Sequence, residues 1–345
     1  MAELMHAYLM SMPTLPLFVI LFISVAVLAR AADIMVEQAM VMAALWHLPP
    51  VIVGATIVSF GTTLPEVVVS VLAALRGSPG IALGNAAGSV ICDTGLILGL
   101  AASLAPLPLD RSVVNRQGWI QVFAVLFLVV LSVPFADPLR VFTEGGHLPA
   151  YGGYLLLFCL LCWLCLQIRW GMMQKAVAPA AHTLPRHGGL SLSVFLLLLS
   201  FAFLAFSSDI LISTASELAK RFSISESVVA VTLVAFGTSL PELVTAIAAV
   251  RKGHGGIALG NIIGADILNI FLVAGASVAV NPEGMTVGPE FFVRSFPFML
   301  AVIGIFRVGI SLSGKHLKRQ TGLILLGTYL LLMFLNVMDA IRGAI

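Results

Sequence analysis

Two glutamates stand where a membrane-spanning helix has little tolerance for them. Glu66 closes the run Gly61-Thr62-Thr63-Leu64-Pro65-Glu66, and Glu242 closes Gly237-Thr238-Ser239-Leu240-Pro241-Glu242 at an offset of 176 (242 − 66 = 176). The same offset carries Gly80-Ile81-Ala82-Leu83-Gly84-Asn85 onto Gly256-Ile257-Ala258-Leu259-Gly260-Asn261. Of the 25 positions from 61 to 85, 14 are identical to their partners without a gap. A carboxylate at bilayer depth is costly and is kept for function, typically in an ion pathway. Beside each glutamate stand hydroxyls, and the chemistry this composition suits is binding of a hard cation by oxygen.

More oxygen is expected from the backbone. Proline lacks a donor and clashes with the carbonyl four residues earlier, so Pro65 and Pro241 are expected to kink or break their helices. Carbonyls near Ser59 and Ala235 would then face a cavity, which is where irregular backbone is tolerated at this depth. A second cluster follows in each copy. Ser89 and Asp93 are four apart, hence on one helix face, as are Ala265 and Asn269. Glu66, Glu242, Asp93, Asn269, Thr62, Thr63, Thr238, Ser239, Ser89 and the two carbonyls form an all-oxygen set of the kind Ca²⁺ takes. No Cys or His joins it in both copies, against zinc or copper. Three carboxylates can balance one divalent or two to three monovalent cations.

The elements that must carry these residues are legible in composition. Sixty per cent of the 345 residues are hydrophobic and 10% are charged, with a mean hydropathy of +1.08. Soluble chains carry about 25% charged residues, so this is a membrane protein whose main partner is the lipid bilayer. The net charge of +2 is too small to suggest nucleic-acid binding, and the basic residues lie between apolar segments and not in one patch. Nothing marks an obligate protein partner or a cofactor. Apolar runs predict an all-α polytopic fold of about ten transmembrane helices, at 15–44, 50–76, 80–104, 117–134, 150–169, 190–219, 226–251, 256–280, 288–312 and 320–342. The first half is 1–170 with its repeat motif at 54–100; the second is 190–345 with its motif at 230–276. The polar stretch 171–189 joins them. Five spans per half is odd, so the second copy is inverted relative to the first.

Orientation is set by Lys and Arg. With the amino terminus outside, Arg111, Arg116, Arg169, Lys175, Arg186, Arg251, Lys252, Arg307, Lys315, Lys318 and Arg319 face the cytoplasm. Arg76, Arg140, Lys220, Arg221 and Arg342 face the other side. The excess puts both termini outside and the 171–189 loop inside.

These motifs resemble the cation/calcium antiporter superfamily, most closely the microbial sodium/calcium exchangers, and the resemblance covers the whole chain. Two copies of Gly-Thr-(Thr/Ser)-Leu-Pro-Glu, each followed by Gly-Asn-x-x-Gly, carry it. It implies that Glu66 and Glu242 hold a central Ca²⁺ and share its Na⁺ sites. Thr62, Thr63, Thr238, Ser239, Ser89, Asp93, Asn269 and the carbonyls of Ser59 and Ala235 would complete four sites, with about three Na⁺ exchanged for one Ca²⁺ by alternating access. It also implies that spans one and six slide across the rest. The chain departs from the family pattern at Ala265, where a serine is usual, and at Asp266, which has no acidic equivalent at Val90. Those departures keep H⁺-coupled and K⁺-dependent exchange open. A cation channel and an intramembrane hydrolase using paired carboxylates are the readings from other classes.

Several residues have plainer readings. Asp33 and Asp209 obey the 176 offset and read as inter-helix or helix-end anchors. Glu37 and Glu217 read as lining an access path or as solvated helix ends. Cys159, Cys162 and Cys165 read as small packing residues on one helix face, and His182 and His187 as ordinary loop residues.

Overall fold

A computed structural model of the chain describes residues 12–134, 137–173, 190–221 and 237–343. Ten helices follow in order: α1 (Thr14–Leu45), α2 (Pro50–Leu75), α3 (Pro79–Leu104), α4 (Arg111–Ser132), α5 (Ala150–Met173), α6 (Leu190–Arg221), α7 (Leu240–Arg251), α8 (Gly255–Ala279), α9 (Phe291–Leu312) and α10 (Arg319–Gly343). Among the described residues, eight of them are long and apolar enough to cross a membrane; α7 and α10 are the others. The expected span 226–251 is described only from Gly237 onward, and most of the 171–189 connection lies outside the described residues, including Lys175, His182, Arg186 and His187. The protein is an all-α integral membrane protein.

Helix ends follow local chemistry. The one large boundary difference is α4, which begins at Arg111 and not near 117. Asp110 caps it by accepting from the Ser112 and Val113 amides at 3.1 and 3.4 Å, so the helix starts before its apolar stretch does. Arg307, counted with the loop cations above, lies inside α9, where it donates to Asn115 at 3.0 Å and covers the Trp119 ring.

Four short strands report the inversion. β1 (Leu107–Pro108) follows α3 and pairs with β4 (His316–Leu317), which follows α9. β2 (Gly146–Leu148) follows α4 and pairs with β3 (Met285–Val287), which follows α8. In a chain that crosses the membrane at each helix, loops after the third and ninth spans share one face and loops after the fourth and eighth share the other. The repeat exchanges β1 with β3 and β2 with β4, so it maps one strand pair onto the other across the membrane. Two halves of opposite orientation produce that pattern.

Burial separates a centre from a periphery. The apolar window of α8 is 83% buried, whereas those of α1 and α6 are 28% buried. These two outer helices pack against each other, and Arg221 of α6 bonds Glu217 at 2.8 Å and Thr14 of α1 at 3.3 Å. In the centre, α2 lies backbone to backbone on α8. A Cβ on Gly54 would sit 3.0 Å from the Asn261 amide, and one on Gly264 would sit 2.6 Å from the Ser59 hydroxyl. Glycine is required at both positions for the helices to approach so closely. Of the three clustered cysteines, Cys162 and Cys165 are exposed on the outer face of α5 while Trp163 faces the core.

Candidate functional site

The repeated motifs meet at the centre of the bundle. Glu66, Glu242, Asp93, Asn269, Thr62, Thr63, Ser89 and Ser239 are each no more than 1% exposed. Asp93 and Asn269, equivalent positions of the two copies, touch across the repeat: the Asn269 amide donates to Asp93 at 3.3 Å. Asp93 is the second residue of a π-helical turn, Cys92–Leu98 in α3, and Asn269 opens another, Asn269–Ala274 in α8. Such wide turns release backbone from the regular ladder and recur at functional sites.

A second reciprocal pair surrounds that contact. The Thr62 hydroxyl donates to Asn261 at 3.3 Å, and the Thr238 hydroxyl donates to Asn85 at 3.1 Å. Both threonines and both asparagines obey the 176 offset, so each copy's Thr is held by the other copy's Asn. Asn85 also donates to the Ser70 hydroxyl at 2.9 Å and to the Glu66 carbonyl at 3.4 Å. The sequence reading used Gly-Asn only as a repeat marker and missed both asparagines. The signal was there, since a duplicated amide beside a duplicated hydroxyl is the pattern of a cross-repeat clamp.

The two prolines behave differently. Pro65 lies inside a helix that runs without interruption over Ser59–Leu75, so the expected break is absent in this copy. Side chains reach carbonyls on either side of it: the Thr62 hydroxyl, shared with Asn261, lies 3.3 Å from the Ser59 carbonyl, and Asn85 donates to the Glu66 carbonyl at 3.4 Å. Pro241 instead stands in the first turn of α7, after a non-helical Ser239 with φ −85° and ψ 9°, where proline costs no hydrogen bond. Ala235 lies outside the described residues. Ala265 is fully buried and brings no polar atom.

Elsewhere most buried polar groups find partners. Gln117 donates to Gln167 at 2.6 Å and accepts from Trp163 at 3.0 Å, and Ser132 and Ser277 bond carbonyls of their own helices. At the centre they do not. Both carboxylate oxygens of Glu66 and of Glu242, the hydroxyls of Thr63, Ser89 and Ser239, and one oxygen each of Asp93, Asp266 and Asn269 are buried without a hydrogen bond of regular geometry, although Thr62 and Thr63 lie beside Glu242, Thr238 beside Glu66 and Ser239 beside Asp93. Among the described residues, the other partnerless buried side-chain atoms belong to Asn261, Gln167, Thr214, Thr245 and Arg307. Leaving one buried polar atom unsatisfied costs about 1–3 kcal/mol, and a concentration of them marks a place meant to hold something. Glu242 and Asp93 are within electrostatic reach of Glu66, and no Lys, Arg or His pairs with any of them among the described residues. Nor do three His, Cys, Asp or Glu side chains converge at metal-ligating distance there.

Two further groups not assigned from sequence border this centre. The Thr94 hydroxyl and the Gln121 amide both donate to the same oxygen of Asp266, and Gln121 also donates to Thr94 at 3.3 Å. The flanking carboxylates fall outside the site. Glu37 and Asp33 of α1 take Lys252, at the end of α7, at 2.6 and 3.8 Å, which makes Asp33 an inter-helix anchor.

The family model for the sodium/calcium exchanger protein matches residues 16–169 and 192–338, one stretch per half. The chain belongs to the sodium/calcium exchanger family. It is a cation antiporter, and the family is one of transporters and not an enzyme class. The antiporter is 33% identical over 317 residues to the inner membrane protein YrbG of Escherichia coli, covering 90% of this chain and 94% of that one. It is 30% identical over 338 residues to the sodium/calcium exchanger MaX1 of Methanosarcina acetivorans, covering 90% and 96%. Its fold matches the solved sodium-calcium exchanger NCX_Mj with a TM-score of 0.76 at 24% identity, over 92% of this chain and 98% of that one.

Proposed function

We propose that this antiporter exchanges Ca²⁺ for Na⁺ at the duplicated central site. Glu66 and Glu242 hold the Ca²⁺. Thr62, Thr63, Thr238, Ser239, Ser89, Asp93, Asn269 and the carbonyls of Ser59 and Ala235 complete the Na⁺ positions around it. The observation that carries this reading is the convergence of buried, partnerless oxygens from both copies. Membership in a sodium/calcium exchanger family and likeness to MaX1 support the choice of ions.

The mechanism follows from charge. Emptied of cations, the site gathers like charges with no basic residue to balance them, and closing lipid-facing helices over it is unfavourable. Either load restores balance, so the site crosses the membrane filled and returns filled, which is antiport. The poorly buried α1 and α6 pair is suited to slide over the fixed centre. By the excess of basic residues on one side, both termini face outward, in the membrane of a microbial cell.

The test is calcium uptake into proteoliposomes driven by an outward Na⁺ gradient, with an outward H⁺ gradient in parallel and Glu242→Gln as the control. Uptake that needs Na⁺ and is lost in the variant is the expected result. Uptake driven by H⁺ alone overturns the choice of counter-ion, and no uptake under either gradient overturns the calcium assignment.

A further inference from the structure

We propose that the groove between α1 and α6 holds one anionic phospholipid, with its headgroup phosphate on Arg30 and an acyl chain along the groove. The inference does not depend on which ions the protein exchanges.

Arg30 is a cation out of its usual place. It stands near the middle of the 32-residue α1 and is exposed, on a helix whose Phe22 and Ile23 are 68% and 57% exposed toward lipid. Ionisable residues within a span almost always face the bundle interior and pair there. Arg30 does neither, having no ion pair or hydrogen bond among the described residues. The next carboxylates along α1, Asp33 and Glu37, are taken by Lys252 at 3.8 and 2.6 Å. On the facing helix, residues 190–208 carry no charge at all. A counter-ion for Arg30 therefore comes from outside these two helices.

The repeat supplies a contrast. The offset that pairs Asp33 with Asp209 maps Arg30 onto Phe206, which is 54% exposed. One half meets lipid with a ring and the other with a guanidinium, so the charge is not what ion exchange demands of both copies.

Beside Arg30 the two helices leave a cavity of about 230 Å³. Val27, Ala31 and Ile34 line it from α1 at spacings of four and three, which keeps them on one helix face. Leu199 and Phe203, four apart, line it from α6. Ser200 is the other polar residue of the lining, and its hydroxyl donates to the Leu197 carbonyl of its own helix at 2.7 Å. The groove thus offers hydrocarbon along its length and one positive charge at its rim. A molecule with an acyl chain and a single net negative charge on its head matches both.

Depth fits a headgroup as well. At 1.5 Å per residue α1 is about 48 Å long, more than the roughly 30 Å of the hydrocarbon core. Asp33 and Glu37, where Lys252 at the end of α7 reaches α1, lie about 5 and 10 Å further along α1 than Arg30. Arg30 sits that far inside the polar rim, close enough for its long stem to lie on apolar surface while its charge rises to the headgroups. A guanidinium grips a phosphate through two parallel hydrogen bonds, and basic pockets between spanning helices are where anionic headgroups bind. A zwitterionic lipid brings its own cation and leaves the charge of Arg30 unbalanced.

The experiment titrates the purified whole protein in detergent with phosphatidylglycerol, with phosphatidylcholine of the same chains, and with glycerol phosphate, which lacks chains. Retained molecules are counted by native mass spectrometry. Wild type is expected to keep one phosphatidylglycerol, to keep phosphatidylcholine roughly fivefold or more less well, and to keep no glycerol phosphate. Arg30→Phe, which copies Phe206, should bring phosphatidylglycerol down to the phosphatidylcholine level. Leu199→Trp fills the groove and leaves the charge in place, and it should lower retention too. Equal retention of the two lipids by wild type overturns the proposal without any variant. Phosphatidylglycerol kept undiminished by Arg30→Phe or by Leu199→Trp overturns it as well, as does glycerol phosphate held as firmly as the lipid.

Discussion

The two copies of the repeat agree at the centre and differ at its margins. Thr62 with Asn261 and Thr238 with Asn85 are the same clamp written twice, and Asp93 with Asn269 lies where the copies meet. Around this core the halves part. Asp266 with Thr94 is polar where Val90 and Ile270 are not; Ser89 has a hydroxyl where Ala265 has none; Pro65 lies within a helix where Pro241 begins one. The comparison extends to the rim. Lys252 ties α7 to Glu37 and Asp33, while its counterpart Arg76 is exposed without an ion pair among the described residues. What is duplicated reports what ion binding demands of both faces of the membrane. What is single reports the chemistry of this chain.

That division can be broken by substitution. Removing either central charge is expected to have the largest effect: Glu66→Gln and Glu242→Gln should each lower calcium uptake by at least about 100-fold, since a metal site rarely survives loss of a charged ligand when outer partners alone are worth about 10–100-fold. Unequal losses would show that the two glutamates do not share one ion.

The clamps come next. Asn85→Ala and Asn261→Ala should weaken calcium affinity by roughly 10-fold, as losses of groups that orient ligands do. Asn85 also holds Ser70 and the Glu66 carbonyl, whereas the Asn261 amide nitrogen has no partner. The Asn85 variant should therefore be the worse, read by calcium titration.

Gly54→Ala tests the close approach of α2 to α8. Its new methyl would meet backbone of the facing helix, and overpacking of this kind costs about 1–3 kcal/mol. Thermal unfolding in detergent should show the midpoint lowered.

The smallest effect belongs to the rim. Lys252→Ala removes two ion pairs, whose three side chains are 27%, 36% and 41% exposed, and exposed ion pairs are worth about 0–1 kcal/mol. Uptake should change less than about threefold, and a larger change would show that this tie governs the motion of α1.

Much of this was legible in the sequence because a repeat is its own control. Duplicated Glu, Thr and Pro in one register pointed to the centre, and odd spans per half gave the inversion that the β1–β4 and β2–β3 pairs display. Apolar runs placed most helix ends within a few residues. The early start of α4 was missed because a cap, and not hydrophobicity, sets it. The break at Pro65 was expected from local chemistry, but the helix runs through it from Ser59 to Leu75. Gln121 could not have been found by repeat or motif. It lies on α4, outside both copies, and only the packing of α4 on α8 brings it to Asp266.

The central claim is that one set of oxygens serves both ions. Calcium binding to the purified protein, titrated at increasing Na⁺, tests it most directly. The account predicts saturable binding that Na⁺ displaces competitively and that is lost in Glu66→Gln and in Glu242→Gln alike. Calcium binding that persists in either variant, or that Na⁺ fails to displace, would contradict it.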